Sequence, residues 1–275
     1  MKRFAPLICI AFVSLIAPAF GEMNIDVVVD GLNNPWEMVF APNGDIYFSE
    51  RDGRVWKIEN FGEAKVIQTF PKSGSYEGGT LGLALHPNFE ENKKIYIYQT
   101  NLELEFFQNK VFSFTVDGDE LVDMQTVIDD IPGAPWHDGG RIAFGPDDKL
   151  YITTGDAVNP GWSQDLSSLA GKILRINPDG TIPDDNPFDS SAIFSYGHRN
   201  PQGIAWNEDG LFVSSEHGPS GEMGYGHDEI NVIVKGKNYG WPKVVGDSSD
   251  DSFVNPIIHS DEQTWAPSGM VFYNS

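Results

Sequence analysis

Sulfur chemistry is nearly absent from this chain: its one cysteine, Cys9, sits inside an apolar stretch close to the N-terminus. With that stretch removed no thiol remains, which excludes disulfides and thiolate metal sites. Basic residues are scarce as well, 18 Lys and Arg against 40 Asp and Glu, and the formal net charge of -22 repels nucleic acid and anionic membranes. Long hydrophobic runs are also missing. The best candidate, Phe4 to Phe20, is broken by Pro6 and Pro18 and falls short of the ~20 apolar residues a membrane span needs. Lys2 and Arg3 precede it, and Ala17-Pro18-Ala19 or Ala19-Phe20-Gly21 offers a cleavage site. It therefore reads as a signal peptide over residues 1–21 rather than as a membrane anchor. Cys9 lacks the small residue expected before a lipidated cysteine. The mature protein is expected to be secreted, periplasmic or extracellular, with no membrane span.

No linker divides residues 22–275, and no amphipathic helix of useful length shows in them, so they are expected to form one large all-β domain. The acidity has a plain explanation, solubility or adaptation to salt, and a narrower one, carboxylates and carbonyls that bind hard cations such as Ca²⁺. Charge alone does not separate the two.

What the chain does have is a repeat. An apolar strand, a Pro/Asn/Asp/Gly turn and a second strand rich in Tyr, Ile and Phe recur as WEMVFAPNGDIYFSE from Trp36, LGLALHPNFEENKKIYIYQT from Leu81, RIAFGPDDKLYITTGD from Arg141 and QGIAWNEDGLFVSSE from Gln202. Phe40, Leu85, Phe144 and Trp206 align. Each unit predicts a β-hairpin. Further strand-like stretches between copies, such as 111–116 and 172–176, bring each unit to about four strands, the content of a propeller blade. A β-sandwich is the alternative, although it needs no recurring motif. A fifth copy starts at Ser268-Gly269-Met270-Val271-Phe272-Tyr273. The expectation is about four complete blades and part of a fifth, a fragment of a longer propeller with an open edge.

Three segments carry candidate chemistry. Trp136-His137-Asp138-Gly139-Gly140-Arg141 precedes the third inner strand and puts His137 at the mouth of a central channel, where an imidazole can take a proton from a hydroxyl group. Asp138 beside it could raise its basicity. Tyr196-Gly197-His198-Arg199-Asn200-Pro201 takes the same place before the fourth inner strand; Arg199 offers a planar fork and Asn200 both a donor and an acceptor. Ser215-Glu216-His217-Gly218-Pro219 follows that hairpin, and its Gly-Pro carbonyls suit Ca²⁺. Taken singly, each segment also fits a surface histidine, a loop-tying arginine or a simple turn.

In combination and in this order, together with Asp228-Glu229-Ile230-Asn231 and Lys235-Gly236-Lys237-Asn238-Tyr239-Gly240-Trp241-Pro242, they resemble the soluble pyrroloquinoline quinone (PQQ)-dependent sugar dehydrogenases of the glucose/sorbosone dehydrogenase family, from about Leu32 onward. The resemblance implies a six-bladed β-propeller that binds PQQ and Ca²⁺ and oxidises the anomeric carbon of aldoses. It makes His137 the general base, Arg199 and Asn200 cofactor contacts, and Gly218 and Pro219 the carbonyl ligands of the PQQ-bound Ca²⁺. Glu229 and Tyr239 match a second, structural Ca²⁺ site. Glu77, just before the Gly78-Gly79-Thr80-Leu81-Gly82 motif, matches a PQQ-contacting position where many members carry glutamine. The family also uses basic residues from its last blades against the PQQ carboxylates, beyond this chain's end.

Partners implied are a small aldose and an unnamed electron acceptor. Two rival readings share the scaffold: a Ca²⁺-dependent propeller lactonase, which needs no quinone, and a non-catalytic secreted propeller that binds carbohydrate or protein. The sugar-facing loops hold Phe106, Phe107 and Trp162, which could stack on a sugar ring or cover a blade.

Overall fold

The computed structural model describes residues 26–73, 76–103, 106–220 and 225–273. The leader expected over residues 1–21 lies outside the described residues, and the account below concerns the compact unit Gly31–Ser275.

Among the described residues, sixteen strands form four four-stranded antiparallel sheets, each with its strands in chain order. The first holds β1 (Pro35–Phe40), β2 (Ile46–Glu50), β3 (Arg54–Ile58) and β4 (Ala64–Thr69); the second β5 (Thr80–Leu85), β6 (Lys94–Glu103), β7 (Phe106–Asp117) and β8 (Glu120–Pro132). The third holds β9 (Ile142–Phe144), β10 (Leu150–Thr154), β11 (Lys172–Ile176) and β12 (Ile193–Tyr196); the fourth β13 (Pro201–Trp206), β14 (Phe212–Glu216), β15 (Glu229–Val232) and β16 (Ile258–His259). The arrangement is that of propeller blades, with the first strand of each sheet packed against the first strand of the next.

The recurrent sequence unit is the first hairpin of each blade. Phe40 pairs with Ile46, Leu85 with Ile95, Phe144 with Leu150 and Trp206 with Phe212, so the four aligned residues hold one structural position. Three of the turns close alike. Ala41 N–H reaches Asp45 O at 2.8 Å and Gly44 N–H reaches Ala41 O at 2.9 Å; the same two bonds join Gly145 with Lys149 and Asp148, and Asn207 with Leu211 and Gly210. Each turn needs one left-handed residue, supplied by Gly44, Asp148 and Gly210. In the second blade the longer insertion folds into a single helical turn, Phe89–Asn92.

The second strand of each blade is largely buried, as is β11 of the third, whereas β7 and β15 are only partly so. Separate apolar clusters fill the three interfaces between blades: Tyr47, Val55, Leu83 and Ile97 in the first, Tyr98, Ile142, Ile152 and Leu174 in the second, Tyr151, Ile173, Ile204 and Phe212 in the third. The inner strands line a central cavity of about 840 Å³ through Val39, Leu83, Ala143 and Ile204. Residues 268–270 lie along β13, with Ser215 Oγ bonded to Ser268 O at 2.6 Å and Arg141 reaching Gly269, but they form no ladder.

Candidate active site

The loops that lead into the inner strands meet at one end of the cavity. Residues 76–79 precede β5, residues 133–141 precede β9 and residues 197–200 precede β13, so chain segments far apart in sequence share one rim. A pocket of about 120 Å³ there is lined by Glu77, His137, Arg199, His217, Gly218 and Pro219, among others.

His137 holds a left-handed backbone, φ 63°, which turns its side chain away from that of its neighbour. Its Nδ1 lies 2.7 Å from Asp156 Oδ1. Asp156 is fully buried and also receives Val158 N–H at 2.9 Å and Trp241 Nε1–H at 2.8 Å. A carboxylate that accepts from Nδ1–H fixes the tautomer, so Nε2 carries the lone pair. Gly155 makes this close approach possible, since a Cβ there would overlap the His137 carbonyl oxygen. The aspartate expected to assist His137 was Asp138, and here the structure differs. The Asp138 carboxylate accepts from Asn109 Nδ2 and from Ala134 N–H, both at 3.1 Å, and serves to tie the loop to β7.

Glu77 Oε2 accepts His137 N–H at 2.8 Å and Asn200 Nδ2–H at 3.3 Å, while Asn200 Oδ1 accepts Gly139 N–H at 3.0 Å. The buried Asn200 thus clamps three loops and presents little surface. Arg199 is 7% exposed, and its guanidinium bonds the His217 carbonyl at 3.3 Å and Ser220 Oγ at 3.4 Å and lies over the Trp241 ring at 5.5 Å. Burial pushes its pKa down, against the pull of Asp156, Glu216, Glu77 and Asp228. A buried cation whose hydrogen bonds go to neutral oxygens suits an anionic ligand.

Gly218 and Pro219 sit across the pocket. Asp228 pins them, accepting Gly218 N–H at 2.8 Å on one oxygen and Trp265 and Ala266 N–H at 2.6 and 2.9 Å on the other. A Cβ at position 218 would overlap Gly226 O. A second void of about 10 Å³ shares Arg199, Gly218 and Pro219 with the first and is lined also by Glu229 and Tyr239. Burial, and then the Glu216 charge, raise the Glu229 pKa to about 8; a carboxyl so poor in compensating charge is what a cation would ionise. The Tyr239 hydroxyl is engaged, donating to Val232 O at 2.6 Å and accepting Val234 N–H at 2.8 Å, so a metal contact at this residue falls to its backbone carbonyl. Among the described residues no group of three or more His, Cys, Asp or Glu side chains forms a metal cluster; the backbone carbonyls of Gly218 and Pro219 are donors of a different kind.

A model of the family Glucose / Sorbosone dehydrogenase matches residues 32–275. The chain belongs to the glucose/sorbosone dehydrogenase family. It is 35% identical to aldose sugar dehydrogenase YliI of Escherichia coli over 98% of this chain and 78% of that one. To quinoprotein glucose dehydrogenase B of Acinetobacter calcoaceticus it is 33% identical over 82% of this chain, and spans 54% of that protein's length. The PQQ-bound aldose sugar dehydrogenase of Streptomyces coelicolor has the same fold with a TM-score of 0.81 at 38% identity, covering 90% of this chain and 74% of that one.

Sequence reading assigned no role to Asp156, to His217 or to the Tyr76–Trp136 pair. Asp156 closes the third repeat, and its position at the strand end of a copy was the available signal. His217 precedes Gly218 and lines both voids; burial pushes its pKa down. Tyr76 and Trp136 stack at 4.9 Å, nearly parallel, directly before Glu77 and His137. Phe106 and Trp162 are exposed, and neither lines this pocket.

Proposed function

We propose that the protein oxidises cyclic aldoses at the anomeric carbon, giving the lactone, with PQQ and Ca²⁺ as cofactors. The observation that carries this reading is the His137–Asp156 hydrogen bond, set in the wall of a pocket shared with Arg199, Gly218 and Pro219. Support comes from the relatives: one is named a quinoprotein, one an aldose sugar dehydrogenase, and one structure contains PQQ.

When bound, the quinone supplies a two-electron acceptor for the hydride that leaves the anomeric carbon. The residues here supply position, a base and a field. Losing hydride from a carbon bearing a hydroxyl builds positive charge on it, and loss of the hydroxyl proton relieves that charge as the carbonyl forms. His137 Nε2 takes the proton, and Asp156 stabilises the imidazolium that results. Arg199 would pair with an anionic oxygen of the cofactor, Glu77, held in place by the buried Asn200, would line its edge, and the Gly218 and Pro219 carbonyls would ligate one Ca²⁺. Glu229 and the Tyr239 carbonyl would hold a second. The site belongs to an exported protein that hands its electrons to a separate acceptor.

The test is dye reduction by a panel of aldoses with PQQ and Ca²⁺ supplied or withheld. Turnover should need sugar, quinone and metal together, and His137→Gln should abolish it while PQQ still binds. Sugar-independent or quinone-independent reduction, or full activity in H137Q, would overturn the assignment.

A further inference from the structure

His217 lines both the larger pocket and the small void beside Gly218 and Pro219, and nothing in the chemistry above uses it. Its Nε2 is buried and, among the described residues, has no hydrogen-bond partner. In either neutral tautomer that nitrogen is a donor or an acceptor. A buried polar atom left unpaired costs about 1–3 kcal/mol, so native proteins rarely keep one without a reason. His217 is also fixed from the backbone side: its N–H bonds Asn200 O at 3.2 Å, and its carbonyl accepts from Arg199 Nη1 at 3.3 Å. The ring is thus held by the same loop pair that positions Arg199 and Asn200.

We infer that His217 is a ligand-contacting residue whose Nε2 hydrogen-bonds a polar group of the molecule bound in this pocket. The inference deepens the dehydrogenase reading and rests on it for the identity of that molecule. Two sources share the required chemistry, a sugar hydroxyl and a polar ring atom of the cofactor. The geometry predicts which atom of the protein is needed, and separate titrations decide the source.

Two substitutions isolate the atom. His217→Asn keeps a polar group close to the Nδ1 position and deletes Nε2; His217→Gln places an amide near the Nε2 position and restores a hydrogen-bonding group there. In the full chain, PQQ binding with Ca²⁺ present is measured by calorimetry, the aldose KM and kcat by dye reduction, and the melting temperature for each variant. H217N should weaken one ligand about ten-fold, with H217Q recovering most of the loss and both melting close to wild type. A weaker PQQ titration assigns the partner group to the cofactor; a raised sugar KM at unchanged kcat and PQQ affinity assigns it to the sugar. Wild-type binding of both ligands by H217N, or equal losses in H217N and H217Q, would overturn the inference. If wild-type protein binds PQQ but oxidises no aldose, the dehydrogenase reading falls, and the calorimetric comparison of H217N with wild type still decides the role of His217.

Discussion

Asp156 lies 19 residues beyond His137, at the far end of a hairpin, yet it is the group that gives the imidazole its direction. Asp156→Asn would replace an acceptor with an amide that can donate to Nδ1 and so favour the wrong tautomer. The expected outcome is a fall in kcat on the order of 10²-fold or more, with PQQ affinity kept, measured by dye reduction and calorimetry; unchanged kcat would show that Asp156 does not orient the base. Sequence adjacency pointed to Asp138 instead. It could not reveal that His137 sits at positive φ, which sends neighbouring side chains apart. Lys172 offers a second test at this scale. It is fully buried, and its ammonium donates to the Trp162, Ser163 and Ala170 carbonyls at 2.7, 3.2 and 2.6 Å. Burial, opposed by Asp165, pushes its pKa down from 10.5 to about 7. Below pH 7 folded and unfolded chains both hold the proton and the cost of the buried charge is present in full. Between pH 7 and 10.5 the unfolded chain holds more of it, so this residue's contribution to stability climbs with pH. Urea unfolding at pH 6.5 and 9.5 should show that climb in wild type and lose it in Lys172→Met; equal slopes would contradict it.

The hairpins were legible because their turns announce themselves. Pro42-Asn43-Gly44 and Asn207-Glu208-Asp209-Gly210 supply the left-handed residue that a short connection requires, and the apolar strands on either side have only one register that buries them. The one-turn helix 89–92 was not legible, since four residues carry no helical period. At the end of β10, Gly155 shows how an element's geometry becomes function. Gly155→Ala would drive a Cβ into the His137 carbonyl, so β10 and the histidine loop could not both keep their places. Thermal unfolding should report a loss of about 1–3 kcal/mol, accompanied by reduced sugar turnover; a stable and fully active variant would show that the contact is slack. The segments 197–200 and 238–242 were readable as motifs, but their joint purpose was not. Trp241 meets both Asp156 and Arg199, a link that only the packing of two blades creates.

At the scale of the whole molecule, blade repetition brings residues 77, 137, 199 and 218 to one rim and leaves the acidic surface to solvent. That placement predicts a metal requirement for stability. With Gly218, Pro219 and Glu229 lining the same small void, Ca²⁺ should raise the melting temperature, since a ligand at a hundred times its Kd contributes about 2.7 kcal/mol. Glu229→Gln should lose part of that gain, and equal melting in Ca²⁺ and in chelator would contradict both sites. The most direct test of the account is a single turnover of protein loaded with PQQ and Ca²⁺, mixed with an aldose carrying deuterium at the anomeric carbon. Quinone reduction should be slowed relative to the unlabelled sugar and be nearly absent in H137Q; reduction that ignores the label and survives loss of His137 would contradict it.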